Sequence, residues 1–345
     1  MRNGLIAGWD LGGAHLKAAL VDQDAEARTV LQLPCPLWQG MDNLSSALTE
    51  AAMQVGAAGR HAVTMTGELV DLFDSRSAGV EALIDGFTAA FPRAEVMIYA
   101  GRAGFLAPDD ARRRPTDVAS ANWLASVRFA AKALPQGLFI DVGSTTTDLV
   151  PFRGGRDAAV GLVDEERLIS EELVYTGVTR TPVMAVAESV PFDGRRQRLM
   201  AELFATMADV HRLTGDLPAD ADQDPTADGR DKSVAASALR LSRMLGRDVG
   251  SASAAAWRRV AHYLAERQRQ VIQDAAMRVL SRGLIAEEAP LVGAGIGRFL
   301  VRKLAAGLGR PYTDFADLVS GSAETKEWAA RCAPAAAVAI LAAKV

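Results

Sequence analysis

One pattern occurs twice in this chain. An apolar run over residues 5–9 ends at Asp10, Gly12 and Gly13 follow, and an apolar run resumes over 15–21 before a turn at 22–24. The second copy starts at Gly137: residues 138–140 are apolar, Asp141 opens the turn, 142–147 is small and hydroxyl-rich, and 148–152 resumes the strand. Both read as β-hairpins with an acid and glycine at the tip. A duplication restricts the fold strongly, because each half must then build the same supersecondary unit. The expected division is 1–136 and 137–345, with the C-terminal helix packing back on the first half.

Helices are expected at 43–55 and 120–134, and strands at 61–65 and 96–99. After the second hairpin come expected helices at 197–211, 233–245 and 254–283, a strand closing at Gly293, and helices at 298–308 and 334–345. On the long helix, Trp257, Val260, Leu264, Val271, Ala275 and Val279 share one face. Residues 217–232, rich in Asp, Ala and Pro, read as an exposed loop. Strands alternating with helices give an α/β architecture with mixed sheets.

Hydrophobic residues make up 49% and charged residues 23% of the 345, the balance of a chain with a large core. A net charge of -4 is unlike the basic surface that nucleic acid selects. Cys35 and Cys332 stand far apart, which excludes a disulfide scaffold or a cysteine-built zinc site and fits a reducing, cytoplasmic setting. No signal peptide opens the sequence, and no run reaches the roughly 18 apolar residues of a membrane span. A homodimer stays open.

Three loops carry the candidate chemistry. Asp10-Leu11-Gly12-Gly13-Ala14-His15-Leu16-Lys17 combines glycines, which let backbone N–H groups approach phosphate oxygens, with the Lys17 charge and a carboxylate able to hold Mg²⁺. Asp141-Val142-Gly143-Ser144-Thr145-Thr146-Thr147-Asp148 offers hydroxyl donors between two acids. Gly293-Ala294-Gly295-Ile296-Gly297-Arg298 joins a strand to a helix, whose bare N-terminal amides attract anions. Arg298 occupies the place of the last glycine of a dinucleotide fingerprint, which argues against a Rossmann loop. Asp220, Asp222 and Asp224 alternate like a calcium loop, but Pro225 stands where that loop needs glycine.

In this order the loops resemble the two phosphate loops and the adenosine loop of the acetate and sugar kinase, Hsp70 and actin superfamily (ASKHA). The resemblance implies two ribonuclease-H-like domains with a ligand cleft between them. It also implies phosphate contacts from Gly12, Gly13, Gly143, Ser144, Thr145, Thr146, Gly293, Ala294 and Gly295, and Mg²⁺ on Asp10, Asp141 and Asp148. Sugar kinases place Thr or Ser where Gly13 and Ala14 stand, so ATP is compatible with the loops but not required.

Thr64-Met65-Thr66-Gly67-Glu68-Leu69, Tyr99-Ala100-Gly101-Arg102-Ala103-Gly104, Ala119-Ser120-Ala121-Asn122-Trp123 and Asp228-Gly229-Arg230-Asp231-Lys232 resemble the hydantoinase/oxoprolinase-like proteins of tetrahydromethanopterin-linked one-carbon metabolism. For that family the resemblance implies methanofuran or methylofuran biosynthesis. There, an (aminomethyl)furan-methyl diphosphate is joined to the phenol of γ-glutamyltyramine and diphosphate is expelled. It implies catalytic parts for Asp10, Asp141, Lys17 and Glu68, the last as base. Arg102, Asn122, Arg230 and Lys232 are the implied substrate contacts. An ATP-dependent kinase or oxoprolinase-type hydrolase is the alternative.

Overall fold

The computed structural model describes residues 4–56 and 58–345. It falls into two compact units. Unit 1 takes the chain up to Gly137, then Phe152–Ala158 and Thr313–Val345; unit 2 takes Leu138–Pro151 and Ala159–Tyr312. The division expected at 136/137 therefore marks only the first exit from unit 1, to which the chain returns twice.

Unit 1 is built on β1 (Ile6–Leu11), β2 (His15–Val21), β3 (Ala27–Pro34), β4 (Arg60–Met65), β5 (Glu95–Tyr99) and β6 (Phe105–Leu106), in the spatial order β3-β2-β1-β4-β5-β6. β1 to β3 form an antiparallel meander, while β4 lies parallel to β1 and β5 parallel to β4. β1 is buried at every position, as a central strand covered on both faces must be. One face carries Ala7, Trp9 and Leu11 into a core with the helices Met41–Val55 and Arg76–Ala90. The other face carries Gly8, where a Cβ would stand 2.1 Å from the Ala335 carbonyl oxygen. The helix Ala333–Ala342, buried along its whole length, carries small alanines at Ala335 and Ala339, where it lies flush on this glycine.

The second sheet, built mainly by unit 2, takes β7 (Gln136–Val142), β8 (Thr147–Arg153), β10 (Leu173–Val174), β13 (Leu291–Ala294) and β14 (Tyr312–Asp314), and the far end of β8 pairs with β9 (Arg156–Asp157), which falls in unit 1. β11 (Ser189–Phe192) and β12 (Arg195–Arg198) form a separate hairpin. The main sheet runs β10-β8-β7-β13-β14. Counted along the chain, both sheets read third, second, first, fourth, fifth. This repeated order is the ribonuclease-H-type architecture of the actin-like ATPase fold. The helices Ala254–Leu280 and Arg298–Gly307 cover one core with this sheet, and a second core gathers Met207–Thr214, Val234–Met244 and the first half of Ala254–Leu280.

Three sequence expectations are corrected. No helix spans 197–211: Asp193 and Gly194 both take positive φ, the demand of a tight two-residue hairpin turn, and β12 follows. The helix begins only at Met207, where Thr206 and Asp209 cap each other reciprocally. On the long helix, Val271 is exposed, and Gln268 and Ile272 are buried instead, since 3.6 residues per turn carries the face past a strict seven-residue step. The segment 217–232 is anchored by buried guanidinium groups: Arg212 pairs with Asp222 at 2.6 Å, and Arg240 with Asp228 at 3.0 Å.

Two buried histidines set a pH limit. His61 accepts a hydrogen bond from the Trp9 indole at 3.0 Å and packs against Phe87 and Phe91. His211 bonds Gln268 at 2.7 Å. Burial pushes each pKa down to about 4. The folded state thus binds fewer protons than the unfolded chain between about pH 6.5 and 4, and stability falls as pH drops through that window. Calorimetric melting should show a plateau above pH 7 and a loss of roughly 3 kcal/mol per histidine by pH 4. A His61→Gln variant, which keeps an acceptor for Trp9, is expected to lose less on acidification.

Candidate functional site

In unit 1 the register aligns polar side chains in one row across an otherwise apolar sheet. Gln32 pairs with Lys17, Lys17 with Asp10, and Asp10 with Thr64. Directly opposed residues share a face, so the row is continuous. Asp10 is 1% exposed, and its Oδ2 accepts from Lys17 Nζ at 3.2 Å. Its Oδ1 is buried without a hydrogen-bond partner among the described residues, as is the Thr64 hydroxyl. The turn that follows is held by Gly12 N–H donating to His15 O and by Leu37 N–H donating to Gly13 O. Cβ atoms at Gly12 and Gly13 would meet His15 O and the Val70 side chain at 2.7 Å, so glycine is required at both. His15 itself is buried.

The unit 2 loop is supported from behind. The Gly143 and Ser144 carbonyls accept N–H bonds from Val178, Thr179 and Arg180. The backbone amides of Ser144, Thr145 and Thr146 donate to no acceptor among the described residues. Three successive free amides are an anion-binding backbone. Gly177 presses on this loop so closely that a Cβ would lie 2.4 Å from the Ser144–Thr145 peptide. Gln268 holds Gly177 in turn, donating to its carbonyl at 2.7 Å and to the Thr176 hydroxyl at 2.9 Å. The third loop joins the same site: Gly295, at φ +81, leaves only 2.3 Å between a notional Cβ and Asp141 Oδ1. Unit 2 therefore brings together Asp141, Gly143, Ser144, Thr145, Thr146, Gly293, Ala294 and Gly295.

Other expected site residues are already engaged. Asp148 accepts from the buried Arg167 at 2.8 Å, so its charge is matched by a guanidinium rather than kept for a cation. Glu68 is buried and accepts from Ser120 at 2.7 Å, away from solvent. Asn122 turns its Oδ1 onto the Trp123 N–H at a helix start. Arg230 pairs with Asp228, and Lys232 donates to Asp222 O at 2.7 Å, so both secure the segment 217–232. Arg102 pairs with Asp157 at 2.6 Å beside a cavity of unit 1. Sequence reading missed Arg167, Gln268 and Arg240, buried polar residues set in helices whose surrounding pattern is apolar or solvated. Among the described residues no three His, Cys, Asp or Glu side chains form a metal cage, and no helix is long and apolar enough to cross a membrane.

The family model for hydantoinase/oxoprolinase matches residues 60–318. The chain belongs to the hydantoinase/oxoprolinase family. A Methanocaldococcus jannaschii relative of this family member, (4-{4-[2-(gamma-L-glutamylamino)ethyl]phenoxymethyl}furan-2-yl)methanamine synthase, is 31% identical over 245 residues, covering 71% of this chain and 72% of the relative. A Methanococcus vannielii protein of the same name is 32% identical over 117 residues, 34% of this chain and 52% of that one. Among solved structures, nucleotide-free acetone carboxylase superposes with a TM-score of 0.56 at 10% identity, over 90% of this chain and 68% of that one, a likeness of fold.

The glycine contacts give a direct test. Gly295→Ala meets both positive φ and the Asp141 carboxylate, and is expected to cost roughly 1–3 kcal/mol. Gly250→Ala, with open space around its Cα, should leave the melting temperature unchanged within about 1 °C. Equal melting curves for the two variants would contradict the close packing described.

Proposed function

We propose that this protein makes an aryl ether in furan-methanamine cofactor biosynthesis. In this reading the phenol oxygen of γ-glutamyltyramine takes the CH₂ of an (aminomethyl)furan-methyl diphosphate. The CH₂–O bond to diphosphate breaks with its electron pair on the leaving group, the phenol–CH₂ bond forms, and the phenol proton passes to solvent. The carrying observation is relatedness over most of both chains to a synthase whose name describes this phenoxymethyl-furan linkage.

The loops suit such a leaving group. Each unit offers donors of its own to phosphate oxygens before any charge develops, the Ser144, Thr145 and Thr146 amides in unit 2 and the Lys17 ammonium in unit 1, which is where electrostatic preorganisation is worth most. Loss of diphosphate from a furan-stabilised CH₂ spares the phenol, whose pKa is near 10, from needing full deprotonation before attack. Asp10 fits Mg²⁺: one oxygen is paired with Lys17, and the other is buried without a partner among the described residues. In unit 2, Asp141 beside the amide loop is the corresponding ligand. One or two carboxylates completed by substrate phosphates are what Mg²⁺ ordinarily uses. When bound, it would neutralise charge on the departing diphosphate. ATP has no part in this scheme.

Mass spectrometry of protein, Mg²⁺ and the two substrates should show the ether, with one diphosphate released per ether and no ATP added. Furan alcohol in place of ether would make the protein a hydrolase, and a strict need for ATP would move it to the kinase class. Asp10→Asn and Asp141→Asn are expected to fold as the parent does while losing at least about 100-fold in turnover. Unchanged turnover in either would remove that acid from the mechanism.

A further inference from the structure

A cavity of 610 Å³ lies wholly within unit 1, where the end of β5, the helix Asn122–Ala133, β9 and the C-terminal helix meet. Its size is that of a small-molecule site. Arg102, Arg128, Lys132 and Arg156 line it against a single side-chain carboxylate, Asp157, in a protein whose net charge is -4. Asp157 is spent on Arg102. Arg128 donates to the Gly101 carbonyl, and neither Lys132 nor Arg156 makes an ion pair among the described residues. Tyr99 adds a donor from beneath. It is 1% exposed, and its hydroxyl lies beside the Arg128 guanidinium. Burial pushes the Tyr99 pKa up to about 12 despite the nearby Arg128 charge, so the phenol keeps its proton at neutral pH. The Tyr99 and Phe105 rings meet edge-on at 5.4 Å and, with Leu341, give the cavity apolar walls.

Register fixes where this cavity lies relative to Asp10. Val63 pairs with Ile98 on parallel strands, so the next residues, Thr64 and Tyr99, follow side by side. Since Thr64 also pairs with Asp10, Tyr99 extends the polar row on the same face, two strands from Asp10 and about 10 Å away.

We infer that this cavity holds the carboxylates of the γ-glutamyl end of the phenol substrate, with Arg128, Lys132, Arg156 and the Tyr99 hydroxyl as its donors. The inference rests on the ether-forming reading for the identity of the substrate, and the geometry supplies the carboxylate site. Paired guanidinium and ammonium groups around a buried neutral donor suit a dicarboxylate.

The test pairs binding with turnover. Titration calorimetry of γ-glutamyltyramine and of tyramine, which lacks the glutamate, should show the former bound at least tenfold tighter by the parent protein. In Lys132→Glu/Arg156→Glu, two exposed positions whose change spares the core, that preference should collapse. Tyr99→Phe should weaken γ-glutamyltyramine severalfold. In turnover, the KM for γ-glutamyltyramine should rise at least tenfold in the double variant. An unchanged preference in a double variant whose circular dichroism and melting match the parent overturns the inference. Because calorimetry needs no ether formation, a protein that binds selectively but makes no ether sinks the reaction while leaving the carboxylate site standing.

Discussion

A buried carboxylate sets the terms for unit 1. Asp10 is buried in the sheet between the apolar Trp9 and Leu11 of its own strand, and an isolated ionised acid there is costly. Lys17 answers it from the adjacent strand, which fixes the β1–β2 register: a slip of one residue would move the ammonium to the opposite face. The same register aligns Thr64 and Tyr99 on that face and sends Trp9 and His61 to the other, so the site row and the aromatic core are specified together. Only one oxygen of Asp10 is hydrogen-bonded among the described residues.

Unit 2 reaches a similar end by different means. Its loop has no lysine at the corresponding place and is positioned by contact. Gln268 holds the 176–177 turn, Gly177 lies on the Ser144–Thr145 peptide, and Gly295 lies on Asp141. The Gly143 and Ser144 carbonyls accept N–H bonds from behind, and the amides of Ser144, Thr145 and Thr146 donate to no acceptor among the described residues. Such a relay needs close backbone approach, which explains why glycine stands at each contact.

Much of this was legible in the sequence. The duplicated hairpin foretold two sheets of the same strand order, because apolar runs ending in Asp and glycine are local signals. The long helices were readable from their periodicity, though Gln268 hid inside one, since a buried amide interrupts the pattern without altering its period. The β11–β12 hairpin was missed although Asp193-Gly194 is a strong turn signal, because the helix expected over 197–211 was begun inside β12. Arg167 and Arg240 were illegible for another reason. Their partners, Asp148 and Asp209, lie at least 19 residues away in the chain, and no spacing rule links them. The basic cavity is likewise a product of tertiary structure, drawing on residues from 99 to 341.

The position of the alanine-rich helix has a consequence for how the chain is made. Gly8 and its neighbours wait for Ala333–Ala342 to cover them, a separation of more than 320 residues. During synthesis, unit 2 has its last residue by Tyr312, whereas unit 1 still lacks one of its two protein faces. Contacts so distant along the chain are entropically slow to close. The emerging protein thus exposes the Gly8 face of this sheet until Ala333–Ala342 has been made and can dock on it.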